Sequence, residues 1–374
     1  MKKVVVIGGG FAGLTAARRL TRASPEVGVT LIDQKETTDF LPMLPDIVGR
    51  GIAPASLSYS LEDMAQECSF RFMKAPVTAL DIESKEITTG SGKLTYDYLL
   101  IASGSETNFY GNENVRQQAY TLDSVEDAKR IAAALKKNEY QHYVVGGGGY
   151  TGIEVATNLK AFLDRHKRSG EIVIVERAPS ILGPLPEWMK QYVLVNLKAL
   201  DIEVLVNSAI DKLEPAKAYL AGGKVLDNAL VIWAAGVKAA PFIQSLTVEK
   251  NQQGRIKVDA YLRLNDTCFV AGDASLVAER SGFLRMAVQF ALAQGACAAA
   301  NIRRSIKGLP LAAFRPVDFG YIIPMANNKS CGRVLGVNLK GKVPTLLHFF
   351  MCIYRSWGAK NQREILQNLI GGAR

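Results

Sequence analysis

The sequence predicts an α/β protein built around two parallel β-sheets, and three observations support this prediction. Two short apolar segments, at 4–7 and 143–145, each run into a glycine-rich turn that is followed by a helix-like stretch. A second apolar segment then follows and ends on an acid, Asp33 in the first case and Glu176 in the second. Several other apolar segments end in alanine and glycine. Continuous apolar runs are typical of strands buried on both faces of a parallel sheet, and their alternation with helices predicts βαβ units.

The first βαβ unit carries the pattern Gly-x-Gly-x-x-Gly at its turn. The strand at 4–7 runs into Gly8-Gly9-Gly10-Phe11-Ala12-Gly13, and a helix over 14–20 and a strand over 27–32 are predicted to follow. The first glycine makes the tight turn, the second lets a pyrophosphate approach the backbone, and the third lets helix and strand pack closely. Asp33 lies 20 residues after Gly13, a spacing at which an acid accepts hydrogen bonds from a ribose. The unit therefore predicts a dinucleotide-binding site.

The second unit repeats the first on the scale of a domain, because its first glycine lies 139 residues after Gly8. Its turn is Gly147-Gly148-Gly149-Tyr150-Thr151-Gly152, followed by a predicted helix over 153–163 and a strand that ends before Glu176. An acid at this position disfavours the 2′-phosphate of NADPH by charge repulsion, which predicts NADH as the preferred cofactor. The neighbouring Arg177 leaves NADPH open, because an arginine can pair with that phosphate.

Three further predicted strands end in small residues. They run into Ala102-Ser103-Gly104, into Ala234-Ala235-Gly236 and into Ala271-Gly272-Asp273. Small residues at the carboxyl edge of a parallel sheet let a flat ligand approach the backbone closely. Because no long or low-complexity linker separates the two units, we expect interleaved domains.

Composition and charge argue against several other classes of protein. Five cysteines and three histidines are scattered without the spacing of a metal site or a redox pair, so we predict no metal and reduced thiols. A strand that begins at Lys2, with no apolar segment before it, predicts a cytoplasmic protein. The net charge of +10 resides in residues 300–374, which hold 12 lysines and arginines against two acids.

The basic C-terminal region favours contact with a membrane surface. Residues 343–354 carry no charge but are too few to span a bilayer. Basic residues then alternate with Trp357 and with aliphatic side chains up to Ile370, a pattern typical of an interfacial anchor. Docking on the rest of the protein or on a second subunit remains an alternative. Nucleic acid is disfavoured, because no recognisable reading module accompanies the basic residues.

Four segments together resemble the two-dinucleotide-binding flavoproteins and, within them, the type II NADH dehydrogenases, which are single-subunit and do not pump protons. These segments are 6–13 (Val-Ile-Gly-Gly-Gly-Phe-Ala-Gly), 96–109 (from Tyr-Asp-Tyr-Leu-Leu-Ile-Ala-Ser-Gly to Asn-Phe), 149–154 (Gly-Tyr-Thr-Gly-Ile-Glu) and 269–273 (Phe-Val-Ala-Gly-Asp). The resemblance spans nearly the whole chain. It implies FAD at the first turn with Asp33 on its ribose, and NADH at the second turn with Glu176 on its ribose.

The resemblance also implies roles at particular positions. Asp273 would meet the ribityl chain of FAD, and Glu154 would face the nicotinamide and flavin rings. Gln289 matches the first glutamine of the family pattern Ala-Gln-x-Ala-x-Gln, which lies beside the flavin and the quinone. The first alanine of that pattern is Val288 here and the second glutamine is Ala293, so the quinone site departs from the family. The ordinary alternative for this segment, predicted as a helix over 286–302, is a buried, alanine-rich packing helix.

Two residues are predicted to be catalytic, Glu154 and Gln289. The predicted cofactor-binding residues are Gly8, Gly10, Phe11, Ala12, Gly13, Asp33, Gln34, Val77, Ala102, Ser103, Gly104, Gly147, Gly149, Tyr150, Thr151, Gly152, Glu176, Ala235, Gly236, Gly272, Asp273 and Val288.

The resulting hypothesis is an FAD-dependent NADH dehydrogenase that passes a hydride from NADH to FAD and then two electrons to a quinone. The expected fold is two Rossmann-like dinucleotide-binding domains plus a C-terminal membrane-associating or dimerising segment. The FAD domain would comprise 1–107 and 236–310, the inserted NAD domain 108–235, and the C-terminal domain 311–374. The protein would be peripheral on the inner face of the cell membrane.

The cysteines that related flavoenzymes require distinguish some of them from this sequence. Disulfide reductases of this superfamily need a cysteine pair near the flavin, and sulfide:quinone reductases need reactive cysteines, so both are disfavoured. Reductases of small redox proteins, such as a ferredoxin or a rubredoxin-like protein, share both glycine-rich turns and remain open. A flavin–NAD redox sensor resembling apoptosis-inducing factor also remains open.

Overall fold

The computed structural model describes residues 1–23, 26–279 and 282–371, and it divides into two compact units. The first unit comprises Met1–Thr38, Tyr59–Glu106 and Val237–Asp318. The second comprises Asp39–Ser58, Thr107–Gly236 and Phe319–Arg374. Each unit contains one of the two glycine-rich turns, and the chain passes between the units several times. Which dinucleotide each predicted domain binds stays a prediction.

Helices and strands alternate along most of the described residues. The helices are α1 Phe11–Ala23, α2 Leu44–Gly49, α3 Leu61–Cys68, α4 Glu113–Gln118, α5 Val125–Lys137, α6 Tyr150–His166, α7 Glu187–Ala199, α8 Pro241–Gln244, α9 Val288–Ile306, α10 Lys342–Arg355 and α11 Ala359–Gly371. The strands are β1 Lys2–Ile7, β2 Val27–Asp33, β3 Thr37–Asp39, β4 Ser58–Ser60, β5 Arg71–Lys74, β6 Val77–Asp81, β7 Glu86–Thr89, β8 Gly92–Thr95, β9 Tyr98–Ile101, β10 Ser105–Thr107, β11 His142–Gly146, β12 Glu171–Val175, β13 Ile202–Leu205, β14 Ile210–Glu214, β15 Lys217–Leu220, β16 Val225–Asp227, β17 Ala229–Trp233, β18 Val237–Ala239, β19 Ile256–Lys257, β20 Cys268–Val270, β21 Ser275–Leu276, β22 Ala278–Glu279, β23 Gly282–Phe283, β24 Gly320–Ile323, β25 Ser330–Val334 and β26 Val337–Gly341.

The first unit is built on a five-stranded parallel sheet of order β20-β9-β1-β2-β5. The segment from Val4 to Ile7 is buried at its centre, as predicted for a strand covered on both faces. Helices α1 and α9 pack closely, because a Cβ at Gly295 of α9 would lie 2.2 Å from the carbonyl oxygen of Ala12. The apolar composition of α9 is thus explained by packing along much of its length.

The second unit is built on a four-stranded parallel sheet of order β13-β12-β11-β17. Its main core joins residues of α6, such as Phe162, with Ile323 of β24 and Cys331 of β25. The antiparallel β24-β25-β26 sheet therefore packs on the same core as the parallel sheet. Helix α2 lies against α6 without room for a side chain, since a Cβ at Gly49 would be 2.0 Å from Oδ1 of Asn158.

The two helices that follow the glycine-rich turns begin earlier than predicted, at Phe11 and Tyr150 rather than at 14 and 153. The third glycine of each turn lies inside the first helical turn. The hydrogen bonds from Leu14 N to Gly10 O, 3.0 Å, and from Ile153 N to Gly149 O, 3.1 Å, close those first turns. The helix dipole therefore begins at the turn itself, where a pyrophosphate is expected.

The C-terminal helices bury one face and expose another. Pro344, Thr345 and Cys352 of α10 are buried, as is Ile365 of α11. The exposed apolar side chains of the two helices are Val343, Leu346, Phe350, Tyr354, Leu366 and Ile370. Nowhere in the described ranges does a helix combine the length and apolar character needed to cross a membrane.

Candidate functional site

The glycines of the first turn have the geometry that the pattern predicts. Gly8 has a φ of +106°, and a Cβ there would lie 2.3 Å from the carbonyl oxygen of Ala102. A Cβ at Gly13 would lie 1.9 Å from the carbonyl oxygen of Gly8. At Gly10, by contrast, a Cβ would meet nothing within 4 Å. The outer glycines are therefore required by packing, whereas the middle one leaves open space in front of the start of α1.

The second turn has the same geometry in the second unit. Gly147 has a φ of +109°, and its Cβ would lie 2.7 Å from the carbonyl oxygen of Ala234. A Cβ at Gly152 would lie 1.9 Å from the carbonyl oxygen of Gly147, and one at Gly149 would meet nothing within 4 Å. The repeat in the sequence is thus a repeat in structure, with an open cradle at the start of α6.

The acid that closes each βαβ unit binds its own turn. One carboxylate oxygen of Asp33 accepts a hydrogen bond from the amide of Gly9 at 2.7 Å, and the other accepts from the amide of Lys35 at 2.8 Å. Glu176 accepts in the same way from Gly148 N and from Ala178 N, each at 2.7 Å. Each acid therefore fixes the loop around the cradle, and its charge lies beside the expected ribose.

A third loop in the first unit carries Asp273. Its carboxylate accepts a hydrogen bond from Oγ of Ser105 at 2.9 Å, and burial raises its pKa. The loop is held from α9, because Oε1 of Gln294 accepts from Gly272 N at 2.6 Å and from Oγ of Ser275 at 3.0 Å. Gln294, which is buried, was missed by the sequence reasoning.

The residues around the first cradle fit a bound dinucleotide. Oγ of Ser103 is buried and has no hydrogen-bond partner among the residues that the structure describes. A buried hydroxyl without a partner is unfavourable unless a ligand supplies one. Gly104, next to it, has a φ of +68° and open space where a Cβ would be.

The remaining predicted cofactor residues are placed within their own units. Gln34 is exposed directly after β2, and Val77 is half-buried at the start of β6. Ala235 and Gly236 follow β17, where Oη of Tyr110 donates to the carbonyl oxygen of Ala235 at 2.9 Å. Val288 is the first residue of α9. The first unit thus contains the predicted FAD residues, and the second contains the predicted NADH residues.

Glu154 lies in the second unit among titratable groups that sequence reasoning did not associate with it. Burial and the nearby Asp46 carboxylate raise the pKa of Glu154 well above its ordinary value. Asp46 is buried on α2, where Oδ1 pairs with Nε of Arg50 at 3.0 Å, and burial raises its pKa to about 6 despite that partner. Each carboxyl therefore stays protonated at a higher pH than an ordinary acid.

Two groups of α10 belong to the same cluster. Burial raises the pKa of the Cys352 thiol, and the Asp46 and Glu154 carboxylates add to this effect. Burial and the positive charge of Arg50 lower the pKa of His348 to about 4. Nε2 of His348 lies 3.6 Å from Sγ of Cys352. Near neutral pH the imidazole of His348 is therefore uncharged, whereas Asp46 and Glu154 keep their protons to a higher pH than ordinary acids do.

Gln289 lies near the start of α9 in the first unit. Its Nε2 donates to Oδ1 of Asp318 at 3.0 Å, and Asp318 also pairs with both terminal nitrogens of Arg285. Ala293 occupies the position of the second family glutamine, so no side-chain amide is present there. Gln294 does not replace it, because on a helix it projects about 100° away and binds the Asp273 loop instead.

Two glycine-rich turns with open cradles, each bound by an acid, define a protein with two dinucleotide-binding units. The chain belongs to the pyridine nucleotide-disulphide oxidoreductase family, whose model matches residues 2–300. The predicted α/β fold with two dinucleotide-binding units is confirmed, as are the predicted cofactors FAD and NADH and the prediction that the protein is an enzyme.

Relatives of similar length support a narrower resemblance. Demethylphylloquinone reductase NdbB of Synechocystis is 27% identical over 376 residues, covering 94% of this chain and 92% of the relative. A type II NADH:quinone oxidoreductase of Staphylococcus aureus is 27% identical over 372 residues, covering 91% of this chain and 92% of the relative. The resemblance to type II NADH dehydrogenases that the motifs predict is therefore confirmed.

Solved structures show the same fold. The structure of NDH2 from Plasmodium falciparum in complex with NADH matches with a TM-score of 0.86 at 18% identity, covering 100% of this chain and 98% of that one. The sulfide:quinone oxidoreductase of Aquifex aeolicus matches with a TM-score of 0.80 at 18% identity, covering 97% of this chain and 92% of that one. At these identities the likeness establishes the fold and leaves the acceptor to the chemistry of the site.

Proposed function

We propose that this protein is an FAD-dependent NADH:quinone oxidoreductase that does not pump protons. The observation that carries the proposal is the repeated turn geometry, with open cradles at Gly10 and Gly149 and an acid bound to each turn. The curated relatives that match over nine-tenths of the chain include a type II NADH:quinone oxidoreductase and a quinone reductase, which favours a quinone as the acceptor. Bound FAD would supply the redox chemistry that carries two electrons from NADH to the quinone.

The FAD site is proposed to lie in the first unit, corresponding to a domain at 1–107 and 236–310. The amide groups at the start of α1 would hold the pyrophosphate, Asp33 would accept from the ribose, and Asp273 would accept from the ribityl chain. Ser103, whose buried hydroxyl has no partner among the described residues, gains one when FAD binds. The remaining members of this site are Phe11, Ala12, Gln34, Val77, Ala102, Gly104, Gly272 and Val288.

The NADH site is proposed to lie at the second turn, in a domain at 108–235. The amide groups at the start of α6, near Tyr150 and Thr151, face the pyrophosphate. Glu176 accepts from the ribose hydroxyls and repels a 2′-phosphate, so NADH is preferred over NADPH. Ala235, which follows β17, lets a flat ligand approach the backbone closely, and the next residue, Gly236, begins the second segment of the FAD domain.

Glu154 is proposed to handle a proton. Reduction of a quinone by NADH consumes one proton beyond the transferred hydride, so an acid is needed at the acceptor. The raised pKa of Glu154 keeps its carboxyl protonated at a higher pH than an ordinary glutamate, and a group of this kind is suited to donate a proton near neutral pH. Gln289 is proposed to position the acceptor through its amide.

The C-terminal region, 311–374, is proposed to hold the protein on the inner face of the cell membrane. Support comes from α10, where Leu346, Phe350 and Tyr354 recur at a spacing of four residues and are all exposed. Such a stripe lies on one side of a helix, and basic residues beside it attract anionic lipids. A homodimer through the same stripe is the competing outcome of a vesicle-binding experiment on this surface.

The function is tested by NADH oxidation with a menaquinone or ubiquinone analogue, beside parallel reactions with ferredoxin and with oxygen. Purified protein should be yellow, and one quinol should form for each NADH consumed. Oxidation that proceeds with ferredoxin and not with either quinone would overturn the proposal in favour of a small-protein reductase. Slow turnover with every acceptor and a long-lived flavin–NAD absorbance band would instead favour a redox sensor.

A further inference from the structure

Arg255 is a buried arginine beside the Asp273 loop. It is 5% exposed and immediately precedes β19, which pairs in parallel with β21, the strand that follows that loop. Its Nε and Nη2 donate to the carbonyl oxygen of Ser275 at 3.0 and 2.6 Å, and Nη2 also donates to the carbonyl oxygen of Leu284 at 3.0 Å. No carboxylate of the described residues lies within ion-pair distance of the guanidinium. A buried charge whose hydrogen bonds go only to neutral carbonyl oxygens is unfavourable unless an opposite charge nearby compensates it.

The charge that Arg255 does act on is that of Asp273. Burial raises the pKa of Asp273, and attraction to Arg255 opposes that rise together with the hydrogen bond from Ser105. In the described part of the first unit these are the groups that act on the carboxylate, because Gln294, which holds the same loop from α9, is uncharged. The pKa of Arg255 is lowered by burial, and Asp273 opposes this effect.

Arg255 also links the loop to α9. Leu284, whose carbonyl oxygen it binds, precedes the start of α9 at Val288 by four residues, and Gln294 of α9 binds Gly272 and Ser275. The Asp273 loop is thus held from two sides by buried polar side chains. Such contacts around a ligand-binding residue commonly set its orientation.

We infer that Arg255 is a positioning residue for FAD, which holds the Asp273 loop in place and supplies the positive charge that balances the Asp273 carboxylate when it accepts a hydrogen bond from the ribityl chain. The inference rests on the proposed role of Asp273 in the FAD site. It does not depend on the identity of the electron acceptor.

The experiment measures FAD affinity by titrating apoprotein and following the quenching of flavin fluorescence. The variants are Arg255→Met, Arg255→Lys, Asp273→Asn and the double variant R255M/D273N. Lys257→Met is the matched control, because it removes a positive charge two residues further on from an exposed pair with Glu249. Thermal unfolding of each apoprotein separates loss of FAD affinity from loss of folding.

Arg255→Met is expected to weaken FAD binding at least about tenfold, which is the effect of one charge-assisted hydrogen bond. Arg255→Lys should stay within about threefold of the natural protein, because its ammonium group keeps the positive charge and has three donors for the carbonyl oxygens of Ser275 and Leu284. In the D273N background, R255M should cause little further loss, since the charge has nothing left to balance. The control should bind FAD like the natural protein.

The outcomes separate the inference from the proposed site. If D273N weakens FAD binding and R255M does not, or if the losses in the double variant simply multiply, the role of Arg255 is refuted and that of Asp273 stands. If D273N binds FAD normally, the assignment of Asp273 is itself wrong. Should R255M fail to fold, R255K carries the test, because a folded R255K that loses FAD tenfold or more would overturn the inference.

Discussion

The side-chain amide of Gln289 donates from Nε2 to Oδ1 of Asp318 at 3.0 Å, and the same carboxylate pairs with the guanidinium of Arg285. This contact lies where the family pattern is incomplete, because Ala293 takes the place of a second glutamine on the next turn of α9. Orientation of the one remaining amide therefore depends on Asp318, a residue that follows α9 by twelve positions and that no motif predicts.

Asp318→Ala is expected to raise the KM for the quinone about tenfold, because Gln289 loses a charge-assisted hydrogen bond that orients it. The rate at which NADH reduces the bound flavin should not change. Stopped-flow measurement of the first half-reaction and steady-state assays at varied quinone concentration separate the two effects.

Asp266→Ala is the matched control for Asp318, since Asp266 is an exposed aspartate that pairs with Arg263 in the same unit. If neither Asp318→Ala nor Gln289→Ala changes the KM for the quinone, Gln289 does not belong to the acceptor site.

Glu176→Gln is expected to lower kcat/KM for NADH about tenfold and to reduce the preference over NADPH. The substitution removes the charge that repels a 2′-phosphate, and its amide cannot accept hydrogen bonds from both Gly148 and Ala178. Glu176→Arg should move the ratio further toward NADPH. Steady-state kinetics with both nucleotides gives the ratio.

Arg177→Ala tests the alternative left open by the neighbouring arginine. If Arg177 pairs with a 2′-phosphate, its removal lowers the use of NADPH alone. The predicted preference for NADH would be wrong if the ratio of kcat/KM for NADH and NADPH changed in Arg177→Ala but not in the Glu176 variants.

Local chemistry explains why the two turns could be predicted from the sequence. The roles of Gly8 and Gly13 depend on contacts within one βαβ unit, and so do those of Gly147 and Gly152. The spacing of the glycines and the strand-ending acid fixes these contacts whatever the rest of the chain does. Each helix begins three residues before its predicted start, because the third glycine already lies in the first helical turn.

The surroundings of Glu154 could not be predicted in the same way. Asp46 and Cys352 come from segments far before and far after it, and their proximity depends on how α2 and α10 pack in the second unit. Gln294 illustrates the same limit on a helix. It is one residue from the expected glutamine, but that single step turns the side chain toward the Asp273 loop.

Substituting glutamate for apolar residues of the exposed stripe of α10 is expected to release the protein from vesicles that contain anionic lipid. Leu346→Glu combined with Phe350→Glu places two charges where apolar side chains would enter the bilayer interface, and each large apolar group contributes about 1.5–3 kcal/mol when buried. Vesicle flotation should show at least about a hundredfold weaker binding, with FAD retained.

Val195→Glu is the matched control, because Val195 is also exposed and lies on α7 of the same unit. Deleting the whole tail is a poorer test, since buried Pro344, Cys352 and Ile365 would be lost with it. Unchanged flotation with a halved mass in light scattering would assign the stripe to a dimer interface instead.

His348 is expected to destabilise the protein in acid. Its pKa is about 4 in the folded protein against 6.5 when unfolded, so the unfolded chain binds a proton first as the pH falls. Stability is therefore lost as the pH drops below 6.5, by about 2 kcal/mol at pH 5 from this group. Urea unfolding at pH 5 and pH 8 should show a smaller acid loss in His348→Gln than in the natural protein.

The natural protein and His348→Gln must be compared with each other, because Asp46 changes the stability of both with pH in the direction opposite to His348. Its pKa is raised from 3.8 to about 6, so its contribution to stability is lost as the pH rises through that range. His166→Gln, near the exposed end of α6, is the control for the introduced amide. Parallel acid dependence in the natural protein and His348→Gln would contradict the buried, neutral imidazole.

Asp46→Asn is expected to move the alkaline limb of quinone reduction to lower pH. Repulsion by Asp46 helps to raise the pKa of Glu154, so its removal lets Glu154 lose its proton sooner as the pH rises. If protonated Glu154 donates to the quinone, the rate must fall at a lower pH in this variant.

Glu154→Gln distinguishes this effect from a general disturbance of α2. Its amide cannot release a proton, so quinone reduction should fall by about 100-fold and lose this limb of the pH profile, whereas flavin reduction by NADH should be unchanged. In Glu154→Gln, Asp46→Asn should then have no further effect on the profile. A limb that persists in Glu154→Gln and still moves with Asp46 would show that another group of the cluster, such as Cys352, carries the proton.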